Sequence, residues 1–249
     1  MGHKDYLYDL LVHDLTGPLS VVATTAKGLL SKTDKYGSLT EGQRHCLQRI
    51  ARNTKKAQLL LGEILDVGRS EEHLFKEEHF LLEDLAKDAI LSVIQFLDAA
   101  ATERLERLEG REAVGAFLLE QGISMEVTGK YKKSTFFHDR RKVQLILENL
   151  ISNALKYRKK SMKVSISGEG DVLILVSDDG CGIPKGEQEA VYKRFKQLKR
   201  DDLPQVKGLG LGLFCVKALV ETMEGEIAVT SGEGCGTSFT VRIPPLRPR

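Results

Sequence analysis

Apolar residues recur every three or four positions through residues 5–31, at Leu7, Leu11, Leu15, Pro18, Val21, Val22 and Leu29. That is one face of a helix. Pro18 should kink it, because proline removes a backbone donor and its ring crowds the preceding turn. Residues 32–40 read as a polar turn containing Gly37. Thr40 followed by Gln43 has the spacing of a capping box. A second helix then runs to about Gly68, with Leu47, Ile50, Ala57, Leu60, Leu61, Ile64 and Leu65 on its apolar face. Two helices joined by a short turn make an antiparallel hairpin. Such a pair buries little by itself, and a homodimer through residues 5–68 would close it into a four-helix bundle.

Residues 70–79 are almost entirely charged or polar, and 71–79 read as a linker between a hairpin domain (1–70) and a second domain (80–249). Beyond Phe80 the pattern changes. Leu81–Leu97 is amphipathic with helical spacing. Residues 99–121 are charged and helix-prone, and Leu105 and Leu108 point to one ordered helix. Ile123–Val127 and Phe136–His138 read as strands, and Asp139 caps a helix to about Tyr157. Lys163–Ser167 and Val172–Ser177 alternate on either side of Gly168 and Gly170, which is a hairpin. A helix from about Leu211 to Met223 and strands at Glu226–Thr230 and Thr237–Ile243 finish the chain. The second domain is expected to carry helices on one face of a mixed, mostly antiparallel sheet, which makes the whole chain α+β.

The 249 residues suffice for one or two domains with their own cores. Net charge is only +2, so no global basic field calls for nucleic acid. Cys46, Cys181, Cys215 and Cys235 lack metal-ligand spacing and read as reduced thiols of a cytoplasmic protein. No run reaches the ~20 apolar residues of a membrane span. The abrupt helical start is compatible with a longer, membrane-bound parent.

Five stretches carry candidate chemistry. Asn149, Asn153 and Lys156 share one helix face at i, i+4 and i+7. Amide oxygens suit Mg²⁺, which takes few protein ligands, and an ammonium suits phosphate. Asp178 ends a strand and leads into Gly180, Gly182, Ile183 and Pro184; a carboxylate there can accept from an exocyclic amine such as adenine's. Gly208, Leu209, Gly210, Leu211 and Gly212 open a helix, where backbone N–H groups and the helix dipole favour an anion. The spacing is neither a Walker nor a Rossmann fingerprint. Gly236 and Thr237 enter the last strand. His13 with Asp14 sits inside the first helix, five residues before Pro18. A lone helical histidine is ordinarily a surface or satisfied residue, and His3, His45, His73, His79 and His138 are read that way.

In this order the stretches resemble the catalytic core of sensor histidine kinases of two-component signalling. His13–Leu19 is similar to the H box, Asn149–Tyr157 to the N box, Asp178–Pro184 to the G1 box, Tyr192–Phe195 to the F box and Gly208–Leu213 to the G2 box. The resemblance implies a dimerisation and phosphotransfer hairpin followed by a Bergerat-type α/β sandwich that binds ATP. It implies that His13 accepts the γ-phosphoryl group with Asp14 as general base, and that a response-regulator receiver domain then takes it. It further implies that Asp178 holds the adenine amine, that Asn149 and Asn153 bind Mg²⁺ and phosphates, and that Lys156 and Tyr157 line the nucleotide. Residues 185–207 would form a lid anchored by Phe195, with Arg194 near phosphate.

The chain departs from the family pattern in four places. Gly17 stands where Thr or Asn is usual four residues after the histidine, which implies weak phosphatase activity. Tyr192 replaces a Phe, a mild change. Asp179 replaces an Asn, which implies altered Mg²⁺ affinity. Residues 99–121 look like an insertion. Two other readings remain open: a signalling scaffold without turnover, and a gyrase-type or MutL-type ATPase. For the latter, Glu148 is offset by one residue from the expected base.

Overall fold

The computed structural model describes residues 3–51, 54, 57–58, 75–193, 210 and 212–246. The chain divides into two compact units, Met1–Glu72 and His73–Arg249.

In the first unit, α1 spans His3–Ser31 and continues through Pro18. A long helix has enough neighbouring backbone bonds to carry the one that proline removes. The turn expected at 32–40 contains a short helix, α2 (Thr33–Tyr36), ahead of Gly37. The next helix, α3, is described over 41–51. The capping box is formed in both directions. Thr40 N–H donates to Gln43 Oε1 at 2.9 Å, and Gln43 N–H donates to Thr40 Oγ1 at 3.3 Å. Gln58 Nε2 donates to Ser20 Oγ at 3.2 Å and ties the descending segment to α1. Leu15, Val21, Val22 and Ile50 are exposed, Val21 at 65%. A single hairpin therefore leaves part of its apolar stripe in water.

The second unit opens with a difference from the sequence reading. Glu77–Phe80, assigned in part to the linker, is a strand, β1, paired antiparallel with β3 (Phe136–Asp139). Backbone pairing sets it, with Phe80 buried at its end, while its charged side chains stay outside. Asp139 fastens this entry to α7 (Arg140–Tyr157). Its Oδ1 accepts from Lys142 N–H and its Oδ2 from Lys76 N–H, both at 3.0 Å.

The main sheet has five strands: β2 (Ile123–Val127), β4 (Met162–Ser167), β5 (Val172–Asp178), β6 (Glu226–Ser231) and β7 (Thr237–Ile243), in the order β2-β4-β5-β7-β6. Only β2 and β4 are parallel, because α7 crosses over between them. The rest are antiparallel neighbours. Alternation sends Val164, Ile166, Val172, Ile174, Val241 and Ile243 to the buried face. Against that core lie α4 (Leu82–Leu97), α7 and α8 (Gly212–Thr222), which bury i, i+3, i+4 stripes such as Leu82, Leu85, Ala86, Ala89 and Ile90.

Residues 99–121 form two helices rather than one, α5 (Ala99–Glu106) and α6 (Arg111–Glu120). The break falls before Gly110, whose φ of +88° no continuing helix adopts. Asp98 caps α5 by accepting from Ala101 N–H at 3.0 Å. Ala101, Leu105, Phe117 and Leu118 bury their side chains in the main core.

Candidate functional site

The site is built where β5 ends beside the nucleotide-facing side proposed for α7. Asn149, Asn153 and Lys156 are half-buried on one α7 face. Asn149 Nδ2 donates to Leu145 O at 3.0 Å, one turn back, which fixes the direction of its oxygen. That oxygen lies 2.5 Å from where a Cβ on Gly212 would stand. Gly212 is the first residue of α8, so the glycine lets an amide oxygen approach a helix N-terminus.

Asp178 ends β5, paired with Thr237 on β7. Its Oδ1 accepts from Gly180 N–H at 2.8 Å. Burial pushes this carboxyl above the usual range, opposed by the Gly180 and Thr237 backbone N–H groups and reinforced by Asp179. Asp179 behaves oppositely. Its carboxylate accepts from the backbone N–H groups of Lys160, Ser161 and Lys159 at 2.9–3.2 Å and is held well below the carboxylate range. The side chain that departs from the family pattern is thus engaged by the loop after α7, and the amides there explain why a full carboxylate fits.

The loop after Asp178 is held by residues the sequence reading passed over. Ser231 Oγ accepts from Ile183 N–H at 2.8 Å and donates to Gly236 O at 2.7 Å. Its single proton is then used, so the Thr237 hydroxyl, 3.1 Å away, donates to it. Gln188 Nε2 donates to Ser231 O at 2.8 Å and Ile183 O at 3.1 Å. Gly182 has a φ of +73°, and a Cβ there would overlap Gly232 O, so the β6–β7 turn is seated directly on this loop. No local pattern announces Ser231 or Gln188, since each acts across more than 40 residues of chain.

Tyr157 is partly exposed, and burial raises its hydroxyl, with Cys181 adding to the effect. Tyr192 packs edge-on to Phe239, its ring lying under Lys217 Nζ at 5.6 Å. Its hydroxyl is buried without a described partner and is pushed up to about 12. Glu148 accepts from Gln144 Nε2 at 2.9 Å, one turn back on its own helix. Gly210 is described with a φ of +67°. Arg194, Phe195, Gly208, Leu209 and Leu211 lie outside the described residues. His13 and Asp14 lie in α1, and their side chains fall outside the described ones. His138 is neither at the surface nor satisfied. It is fully buried, its Nδ1 accepts from Asp139 N–H at 2.8 Å, and its Nε2 has no described partner.

Among the described residues no three His, Cys, Asp or Glu side chains converge on a metal-sized site. None of the described helices is long and apolar enough to cross a membrane.

Comparison with known proteins gives two domain matches. Residues 7–73 match the His Kinase A (phospho-acceptor) domain. Residues 138–247 match the family described as histidine kinase-, DNA gyrase B-, and HSP90-like ATPase. The circadian input-output histidine kinase CikA of Synechococcus elongatus is 33% identical over 247 residues, covering 95% of this chain and 30% of that protein. The adaptive-response sensory kinase SasA of a Synechococcus species is 26% identical over 253 residues, covering 99% of this chain and 61% of that protein. The chain thus spans between about a third and three-fifths of these relatives. The crystal structure of full-length ShkA in complex with AMPPNP shares the fold, with a TM-score of 0.67 and 21% identity over 98% of this chain and 46% of that one.

Proposed function

This chain belongs to the sensor histidine kinases of two-component systems, and on that premise we propose that it transfers the γ-phosphoryl group of ATP to His13. One observation carries the reading. The half-buried Asp178 carboxylate leads into a loop seated on the β6–β7 turn, and on α7 the Asn149 oxygen lies against the start of α8. Asp178 accepts from the adenine amine. Gly180, Gly182, Ile183 and Thr237 bound the base, and Lys156 and Tyr157 line the nucleotide. Backbone N–H groups of Gly208, Leu209, Gly210, Leu211 and Gly212 meet the phosphates, where the α8 dipole favours negative charge. Arg194 and Phe195 belong to the lid.

The amide oxygens of Asn149 and Asn153 fit Mg²⁺, which needs few protein ligands when phosphates and water fill the other positions. Bound there, Mg²⁺ supplies charge neutralisation on the phosphates.

His13 supplies the nucleophile. A neutral imidazole nitrogen attacks the γ-phosphorus, the bond to the β,γ-bridging oxygen breaks, and ADP leaves. Asp14 accepts the proton from the other ring nitrogen. An aspartate of a response-regulator receiver domain then takes the phosphoryl group. The exposed Leu15, Val21, Val22 and Ile50 support a homodimer through residues 5–68. A gyrase-type hydrolytic base is disfavoured, because Glu148 is engaged on its own helix.

The test uses γ-labelled ATP with Mg²⁺. Acid-labile, alkali-stable label on the wild-type chain and none on His13→Ala is the expected result. Absence of label from the wild-type chain refutes the kinase reading, and label persisting on His13→Ala refutes the site.

A further inference from the structure

We propose that Ser231 is a specificity-determining positioning residue, which makes the Asp178 site accept a 6-amino purine and reject a 6-oxo purine. This role rests on Asp178 being the adenine acceptor, as proposed above. Strand register places the groups. Ser231 on β6 stands directly opposite Thr237 on β7, and Thr237 directly opposite Asp178 on β5. Directly paired residues share a sheet face, and neighbouring strands are about 4.8 Å apart. Two hydroxyls and a carboxylate therefore form one row across three strands. The row lies on the face of Val176, Val229 and Phe239, which packs into the core.

The hydrogen bonds along this row leave acceptors over and no donors. Ser231 Oγ gives its single proton to Gly236 O at 2.7 Å. It accepts from Ile183 N–H at 2.8 Å and from the Thr237 hydroxyl at 3.1 Å. The Thr237 hydroxyl proton is thereby spent, and the Thr237 and Gly180 N–H groups are spent on the Asp178 carboxylate. Oxygen lone pairs on Asp178 and Thr237 remain for a ligand. Adenine carries an N–H donor at position 6, whereas guanine and hypoxanthine carry a carbonyl oxygen there. The first is matched, and the second meets acceptors with acceptors, which costs affinity. Ser231 also keeps the wall of the site from adapting. The Ile183 C=O accepts from Gln188 Nε2 at 3.1 Å, and the same amide donates to Ser231 O at 2.8 Å. With both its backbone polar groups engaged in this ring, Ile183 has no N–H to turn towards a 6-oxo group.

The experiment measures binding of ADP and inosine diphosphate to the full chain by calorimetry with Mg²⁺. The two ligands differ in the group at position 6. The wild-type chain prefers ADP by about a hundredfold. Ser231→Ala frees the Thr237 hydroxyl and Ile183 N–H as donors. Inosine diphosphate then binds about fivefold more tightly than to the wild-type chain, and the preference for ADP narrows at least about tenfold. A merely structural role would weaken both ligands together. Ser231→Thr, which keeps the hydroxyl, retains the preference, and in a Thr237→Val background most of the gain from Ser231→Ala disappears. Should Ser231→Ala not fold, Ser231→Cys, whose thiol is a weak acceptor, is read by the same criterion. The proposal is overturned if inosine diphosphate binds the variant no more tightly than the wild-type chain, or if the gain survives whole in Thr237→Val. A wild-type chain that binds no ADP, or does not prefer it, overturns the adenine reading as well. A strong wild-type preference left intact by Ser231→Ala overturns the role of Ser231 alone.

Discussion

Two histidines show how differently one residue type can be used. His13 has an acidic neighbour and a proline five residues on, and these, with the boxes that follow along the chain, mark it as the proposed phosphoacceptor. His138 has no such context, and only the fold shows it sealed between Phe75 and Phe136. Burial lowers its pKa to about 4, with Asp139 opposing and Lys142 assisting. A folded pKa below the unfolded value of about 6.5 means its stabilising contribution is whole above pH ~6.5. It is lost progressively as pH falls towards 4, about 2 kcal/mol of it by pH 5. Urea unfolding of the catalytic unit at pH 7.5 and pH 5 should show that loss, and His138→Phe should flatten it; an unchanged pH dependence in the variant would assign the loss elsewhere. Gly212 is equally specific. Alanine there presses on the Asn149 oxygen from 2.5 Å, so Gly212→Ala should weaken ATP binding about tenfold by calorimetry while circular dichroism stays native. At Gly17 a side chain able to orient water is missing. The chain should dephosphorylate a phosphorylated receiver slowly with ADP present, and Gly17→Thr should speed it; rapid turnover by the native chain would overturn that expectation.

Elements were legible where pattern and local chemistry agreed. α7 begins at its Asp139 cap and carries its buried stripe at helical spacing, and β4 and β5 alternate cleanly around a glycine turn. β1 was hidden because Glu77, Glu78 and His79 read as linker, and a strand held by backbone pairing to β3 leaves little trace in its side chains. The break inside 99–121 was hidden because both halves are good helix formers and only Gly110 marks it. In the same way, the hold of Ser231 on the loop after Asp178, and of Gln188 on Ser231, is long-range and leaves no local signature. The Thr40 and Gln43 box, in contrast, was fully written in four residues. Thr40→Ala should cost the hairpin about 1 kcal/mol, seen as an earlier thermal transition of its helical signal, while ATP affinity is unchanged. A transition at the native temperature would show that the cap is dispensable.

At the scale of the whole molecule, two units divide the labour. One is a helical hairpin with an exposed apolar stripe and a histidine. The other is a sheet with three covering helices and a half-buried carboxylate where the nucleotide is proposed to sit. The near-neutral charge gives neither unit a reason to seek nucleic acid, so the chemistry rests on a few placed groups. The central claim is that the Asp178 site delivers phosphate to His13. Tandem mass spectrometry under conditions that preserve phosphohistidine, after incubation with ATP and Mg²⁺, tests it most directly. The account predicts a phosphoryl group on His13 in the wild-type chain and none in Asp178→Ala. A phosphoryl group on a different residue, or one undiminished in Asp178→Ala, would contradict it.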